Sequence, residues 1–207
     1  MLRYLYADQL ADEPLLADTM FKDRAYQFRD RLKWDVTVTE AGWEQDQYDA
    51  LNPLYVVWQN PDGTHGGSMR FLPTTGRTMV NEHFSHLADN RKIESAVIWE
   101  CTRFCLSPDA SDSVAAALML GGAEVGRNFS LSHAIGVFSR PMVRVYRKLG
   151  WGPTILGSDG QVSTGLWEFS DAMRKHLCIK AGVLPATSSW WFSLSFNSIT
   201  AAKRIRA

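Results

Sequence analysis

The stretch from Ile98 to Leu106, IWECTRFCL, limits what this chain can fold into more than any other. Seven of its nine residues are apolar, aromatic or small and weakly polar, the composition of a buried strand. It nevertheless holds a carboxylate, Glu100, and a guanidinium, Arg103. Charges inside a fold need partners. In a regular strand, residues three apart point to opposite faces. The two charges share a face only if a β-bulge intervenes, and bulges occur next to active sites, where they re-aim side chains. The fold must therefore supply either two separate structural ion pairs or one shared site.

The segments around this strand follow from periodicity and turn chemistry. From Leu16 to Trp34, the residues Leu16, Met20, Phe21, Phe28 and Leu32 recur at helical spacing. Pro53 to Gln59 reads as a strand, PDGTHGG as a turn, and GSMRFLPTT as the antiparallel return strand. The strand containing Glu100 extends over 95–107, and a helix follows within 107–130. HAIGVF, from His133 to Phe138, is a short strand. SRPMVRVYRKLGW is the best-marked helix: Ser139 as cap, Pro141 in the first turn, Arg147 and Lys148 in the last, Gly150 as terminator. Strands at Thr154–Leu156 and Val162–Phe169 and a helix near Asp171–Ile179 complete the order. This order predicts an α+β fold: a three-layer α-β-α sandwich around a mixed, largely antiparallel sheet, in one domain spanning 1–207.

Composition excludes several classes. Apolar residues make up 45% and charged residues 21% of 207, a globular balance. Lys and Arg equal Asp and Glu in number, so no basic excess points to nucleic acid. The longest apolar stretch, Val114 to Ala123, is too short to span a bilayer, and the opening MLRYLYADQLADEP lacks the pattern of a secretion signal. Cys101, Cys105 and Cys178 form no disulfide framework, which points to a reducing, cytoplasmic compartment. His65, His83, His86, His133 and His176 show no metal-ligand spacing.

Four ordered motifs raise the strand's charges above isolated ion pairs. The first is Arg24-Ala-x-x-Phe28, followed by Trp34-Asp-Val. The second is Glu44-x-Asp46-x-Tyr-Asp49, the third Gly67-Ser-x-Arg70-x-Leu-Pro-Thr-Thr, with Phe84 beyond it. The fourth is Trp99-Glu100-x-x-Arg103-Phe. Singly, each has a plain alternative as a local pair, a solvated acidic loop or core. In this order they resemble the acyl-homoserine-lactone synthases, the LuxI-type autoinducer synthases of quorum sensing. The resemblance runs from the start of the chain to about Trp151.

The resemblance implies a fold similar to the GNAT acyltransferases. It also implies an acyltransferase that joins S-adenosylmethionine (SAM), a substrate rather than a cofactor, to a fatty acyl group, usually carried on acyl carrier protein, although some lactone synthases take acyl-CoA, which leaves the donor open. The SAM amine attacks the thioester, and the SAM carboxylate then displaces methylthioadenosine to close the lactone. By that resemblance Arg24, Phe28, Trp34, Asp46, Asp49, Phe84 and Arg103 bind SAM, and Glu100, Arg103, Trp34 and Arg70 serve catalysis. The residue types suit this chemistry. Aromatic faces take a cation, arginines clamp a carboxylate, and a buried Glu100 is the expected base. Leu118, Met119, Gly136, Val137, Phe138, Met142 and Val145 are expected to line the acyl channel. Gly136, where several makers of 3-oxo products carry Thr, suggests free space and a longer or unsubstituted chain. An acidic carrier needs a basic surface, for which Arg144, Arg147, Lys148, Arg174, Lys175 and the tail KRIRA qualify. One alternative is a general N-acyltransferase using acyl-CoA, disfavoured because LSPDASDSVAAA lacks the glycines of a pyrophosphate loop. The other is a non-catalytic SAM or acyl sensor, disfavoured by the intact charged set.

Overall fold

The computed structural model describes residues 1–205, with side chains through Phe196. A seven-stranded sheet crosses the molecule. Its strands are β1 (Leu2–Tyr6), β2 (Leu54–Gln59), β3 (His65–Pro73), β4 (Ile98–Leu106), β5 (His133–Ser139), β6 (Thr154–Ser158) and β7 (Val162–Glu168). They lie in the order β1-β2-β3-β4-β5-β7-β6, antiparallel throughout except for the β4–β5 pair. One face is covered by α1 (Ala7–Leu10) and α2 (Pro14–Ala25), which bury Leu10, Leu16, Met20 and Phe21 against Tyr55 and Val57. The other face packs on α4 (Asp112–Asn128), α5 (Met142–Leu149), α6 (Asp171–Ala181) and α7 (Pro185–Ile205). This is the expected three-layer sandwich.

Besides the short helices α1 and α3 (Met79–His83), two elements escape the sequence reading. β1 is a five-residue edge strand, four of whose side chains are apolar or aromatic, so the two-residue period is blurred. The visible part of α7 is rich in Ser and aromatic residues and carries no charge through Phe196, so neither propensity nor charge pattern marks it. Two further details differ from expectation. The first long helix is α-helical only to Ala25; a π-helical turn, Tyr26–Arg31, follows, and the chain breaks at Lys33 with φ +57°. Ser139 does not cap α5, because β5 runs through it; Pro141 is the cap residue, without a side-chain hydrogen bond. Gly150 ends that helix at φ +93°, as expected, and a Cβ there would run into the His176 ring.

Two irregularities of the sheet create its site. Ser68 pairs with Cys105 but Arg70 with Thr102, so Arg103 and Phe104 both stand opposite Met69. That is a β-bulge, and Arg103 adopts a left-handed φ of +54° within it. The second is the β4–β5 pairing. It lasts only from Ile98 to Glu100, against His133 to Ile135. Beyond Glu100 each strand continues only with its other neighbour, and a wedge opens between them.

Candidate functional site

The bulge answers the question posed by IWECTRFCL. Thr102 faces Arg70 on the α2 side of the sheet, and the extra residue leaves Arg103 on that same side. Phe104 then turns to the opposite side, against Tyr146. Glu100 and Arg103 thus share a face although they are three positions apart.

On that face, three arginines and three carboxylates alternate in a closed ring. Arg24 donates from Nε to Glu44 at 2.7 Å and clamps Asp49 with both terminal nitrogens at 3.0 and 2.9 Å. Arg103 bridges Glu44 at 2.9 Å and Asp46 at 2.8 Å. Arg70 bridges Asp46 at 2.6 and 2.9 Å and Asp49 at 2.8 Å. The ring joins α2, the 44–49 loop, β3 and β4. Arg24 is 1% exposed and Arg70 fully buried, so each cation needs its partners. Burial alone would raise Asp46 and Asp49, but the arginines beside them hold both below the usual carboxylate range. Asp49 also accepts the Tyr55 hydroxyl at 2.6 Å.

The ring meets an aromatic stack. The Arg103 guanidinium lies 5.4 Å from the centroid of Phe28, and Phe28 stacks on Trp34 at 5.2 Å with 10° between planes. Trp34 remains 40% exposed. The π-helical turn positions this pair: the chain turns back after it, and the Trp34 amide donates to the Phe28 carbonyl at 2.8 Å. Phe84, following α3 (Met79–His83), borders the same space.

From this stack a cavity of about 650 Å³ passes through the β4–β5 wedge to the far side of the sheet. Phe28, Trp34, Phe84, Thr102 and Arg103 form one end, and Met119, Val137, Phe138, Met142, Val145, Tyr146 and Trp167 line the rest. Leu118 does not line it; that side chain is fully buried and packs toward Gly67 on β3. Gly136 borders the cavity, but the space read into it is already filled. A Cβ there would stand 2.8 Å from the Cys101 carbonyl oxygen and 3.3 Å from the Trp167 ring. The glycine permits the close approach of two strands.

Glu100 is 1% exposed and turned toward α3, accepting the Met79 amide at 3.0 Å and the Val80 amide at 2.6 Å. It supplies from another strand the N-terminal cap that Thr78 does not. Burial raises its carboxyl to about 7, against the two amide donors and Arg70, which favour the ionised form. The cavity wall does not include it.

Glu44 has no assigned role in the sequence motif; in the structure it closes the ring. Its signal was its spacing, two residues before Asp46. Tyr55, Thr102 and the Met79 and Val80 amides carried no signal. Of the basic candidates, Arg144, Arg147, Lys148 and Lys175 are exposed. Arg174 is not available: it is buried and paired with Glu124 at 2.6 Å, which also accepts the Ser188 hydroxyl at 2.6 Å. The side chains of KRIRA lie outside the described residues. Among the described residues no helix is long and apolar enough to cross a membrane.

The autoinducer synthase family model matches residues 8–165. An acyl-homoserine-lactone synthase of Rhizobium etli is 43% identical over 179 residues, covering 81% of this chain and 84% of the relative. One of Agrobacterium fabrum is 31% identical, covering 67% and 69%. Among solved structures, the acyl-homoserine-lactone synthase LasI superimposes with a TM-score of 0.75 at 26% identity, over 89% of this chain and 96% of that one. The CoA-dependent synthase MesI gives 0.78 at 22% identity, over 90% and 98%. An acyl-CoA N-acyltransferase from Pseudomonas aeruginosa gives 0.54 at 13% identity, covering 81% and 99%, a likeness of fold alone.

Proposed function

We propose, from the premise that this chain belongs to the acyl-homoserine-lactone synthases, that it acylates SAM from an acyl carrier protein thioester. The observation that carries the reading is the cavity itself. It joins a charged and aromatic end, suited to a small zwitterionic sulfonium, to an apolar passage suited to a fatty chain.

In this reading SAM lies against the outer face of Trp34, with Phe28 and Phe84 nearby, its sulfonium attracted by the aromatic faces. Arg103 is the arginine of the ring that borders the cavity, and it takes the SAM carboxylate. Arg24, Arg70, Asp46 and Asp49 hold Arg103 and its strand in place. A bulge leaves a backbone N–H outside the ladder. The one at Arg103–Phe104 donates to the thioester oxygen as it gains charge. The SAM amine, having given its proton to water, attacks the thioester carbonyl, and the carrier thiol leaves. The SAM carboxylate then attacks the carbon bearing the sulfonium, and methylthioadenosine departs as the ring closes. Glu100 takes part by fixing α3, which leads into Phe84, rather than by touching the amine.

The exposed Arg144, Arg147 and Lys148 on α5 support an acidic carrier as donor. The test incubates the purified chain with SAM and matched acyl carrier protein and CoA thioesters, and follows products by mass spectrometry. Lactone and methylthioadenosine in equal amounts, formed faster from the carrier protein, is the expected result. Faster turnover of the CoA thioesters would overturn the donor assignment. Acylation without methylthioadenosine would overturn the lactonisation step.

A further inference from the structure

Resting on the synthase reading, we propose that the Tyr146 hydroxyl hydrogen-bonds an oxygen substituent on the acyl chain, so that hydroxy- or oxo-acyl donors are preferred to unsubstituted ones. Tyr146 lies on α5, is 7% exposed, and lines the cavity. Its ring is held edge-on by Phe138 at 5.4 Å, Trp167 at 5.0 Å and Phe104 at 6.2 Å. Three aromatic contacts fix where the hydroxyl sits without satisfying it.

Two other polar groups of the wall are already engaged. The Cys101 thiol turns to the Met69 sulfur at 3.5 Å, and the Thr102 hydroxyl accepts from Arg70 at 3.0 Å. The Tyr146 hydroxyl makes no such bond with any described residue, and it is not among the polar atoms sealed from all solvent space, such as those of Tyr4 and Thr164. Tyr146 lines the cavity, so a bound chain is within reach as its partner. Burial raises the phenol above its ordinary value, so it stays protonated and offers a donor.

An unsubstituted chain would displace water from this hydroxyl and leave it unpaired, a cost that discriminates strongly in buried sites. An oxygen on the chain restores the bond. Phe104, in edge contact with Tyr146, directly follows the bulged Arg103. The oxygen therefore belongs near the thioester end, as in 3-hydroxy- or 3-oxo-acyl groups. This reverses the sequence expectation drawn from Gly136. No side chain fits at Gly136 without moving Cys101, so the polar contact comes from α5 instead.

The test compares the intact chain with Tyr146→Phe, using 3-hydroxy-, 3-oxo- and unsubstituted acyl thioesters of equal length at saturating SAM. The wild type is expected to favour an oxygenated donor by about tenfold or more in kcat/KM. The variant is expected to lose that preference, falling on oxygenated donors and holding or rising on unsubstituted ones. Melting temperature verifies that the variant folds. Thermal shift of the wild type by matched 3-hydroxy and unsubstituted lactone products provides a second readout, with greater stabilisation expected from the hydroxylated lactone. Equal loss on all donors, or a wild type that favours the unsubstituted chain, would overturn the inference while leaving lactone synthesis intact. If no donor releases methylthioadenosine, the synthase reading fails and the inference with it.

Discussion

Replacing Glu100 with Gln tests whether this carboxyl is an anchor or a base. Glu100 is buried, holds two amides of α3, and has a carboxyl raised from 4.5 to about 7. A carboxyl whose native value lies above its unfolded value releases its proton more readily once the chain unfolds. Between 4.5 and about 7 the native state therefore binds more protons, and stability falls as pH rises. Integrated from pH 5 to pH 8, the loss is about 2.5 kcal/mol. Glutamine does not titrate. It keeps one acceptor for α3 and misplaces a donor against the other amide, a cost of about 1 kcal/mol at every pH. His65, whose buried ring is depressed mainly by desolvation, is common to both proteins and cancels in the comparison. Urea denaturation of both chains at pH 5 and pH 8 should show the Gln variant gaining about 2.5 kcal/mol on the wild type. Turnover should stay within about tenfold, well short of the loss expected on removing a general base. A stability difference that stays constant within about 0.5 kcal/mol between the two pH values would refute the burial argument. A loss of turnover above about a hundredfold, with SAM binding intact, would restore Glu100 as the base.

Three further variants test the same geometry. Asp49→Asn leaves Arg24 and Arg70 under-paired and should destabilise the chain by about 3–5 kcal/mol in denaturant titration; a loss below about 1 kcal/mol would show that the ring is not needed for folding. Because the arginines depress Asp46 and Asp49, the stability they provide is present above about pH 4 and lost on further acidification, so the Asn variant should show a shallower acid transition. Trp34→Ala removes a half-exposed ring and should change the melting temperature little while raising the KM for SAM about tenfold; an unchanged KM would move SAM off this stack. Gly136→Ala forces a Cβ onto the Cys101 carbonyl and should cost about 1–3 kcal/mol, seen as a fall of several degrees in melting temperature.

The layered fold was legible because its middle strands and α4 to α6 follow plain periodicities. The charged set was legible because four short motifs keep their order and spacing. The closure of the ring was not, since nothing in a run of three acids tells which arginine each one meets. Glu100 shows the same limit more sharply. A carboxylate on an apolar strand suits a base, but its partners are backbone amides some twenty residues away that leave no trace in side-chain identity. Gly136 misled for a related reason. A missing side chain reads as space, yet here the space is occupied by a neighbouring carbonyl. Arg174 looked like surface charge because its partner, Glu124, lies fifty residues earlier on a helix that otherwise reads as apolar.

The register around the bulge allows one more deduction. On one side of it Gly67 and Ser68 oppose Leu106 and Cys105; on the other Arg70 and Phe71 oppose Thr102 and Cys101. Striking Arg103 out of the sequence would make these two pairings a single uninterrupted ladder, with Phe104 opposite Met69 and every remaining side chain on its present face. The arginine is thus a supernumerary residue in an otherwise ordinary strand. A chain one residue shorter would preserve the wall contacts of β4 but lose both the guanidinium and the N–H that the bulge leaves outside the ladder, with Glu44 and Asp46 left to Arg24 and Arg70 alone, so a single codon carries the chemistry of this strand.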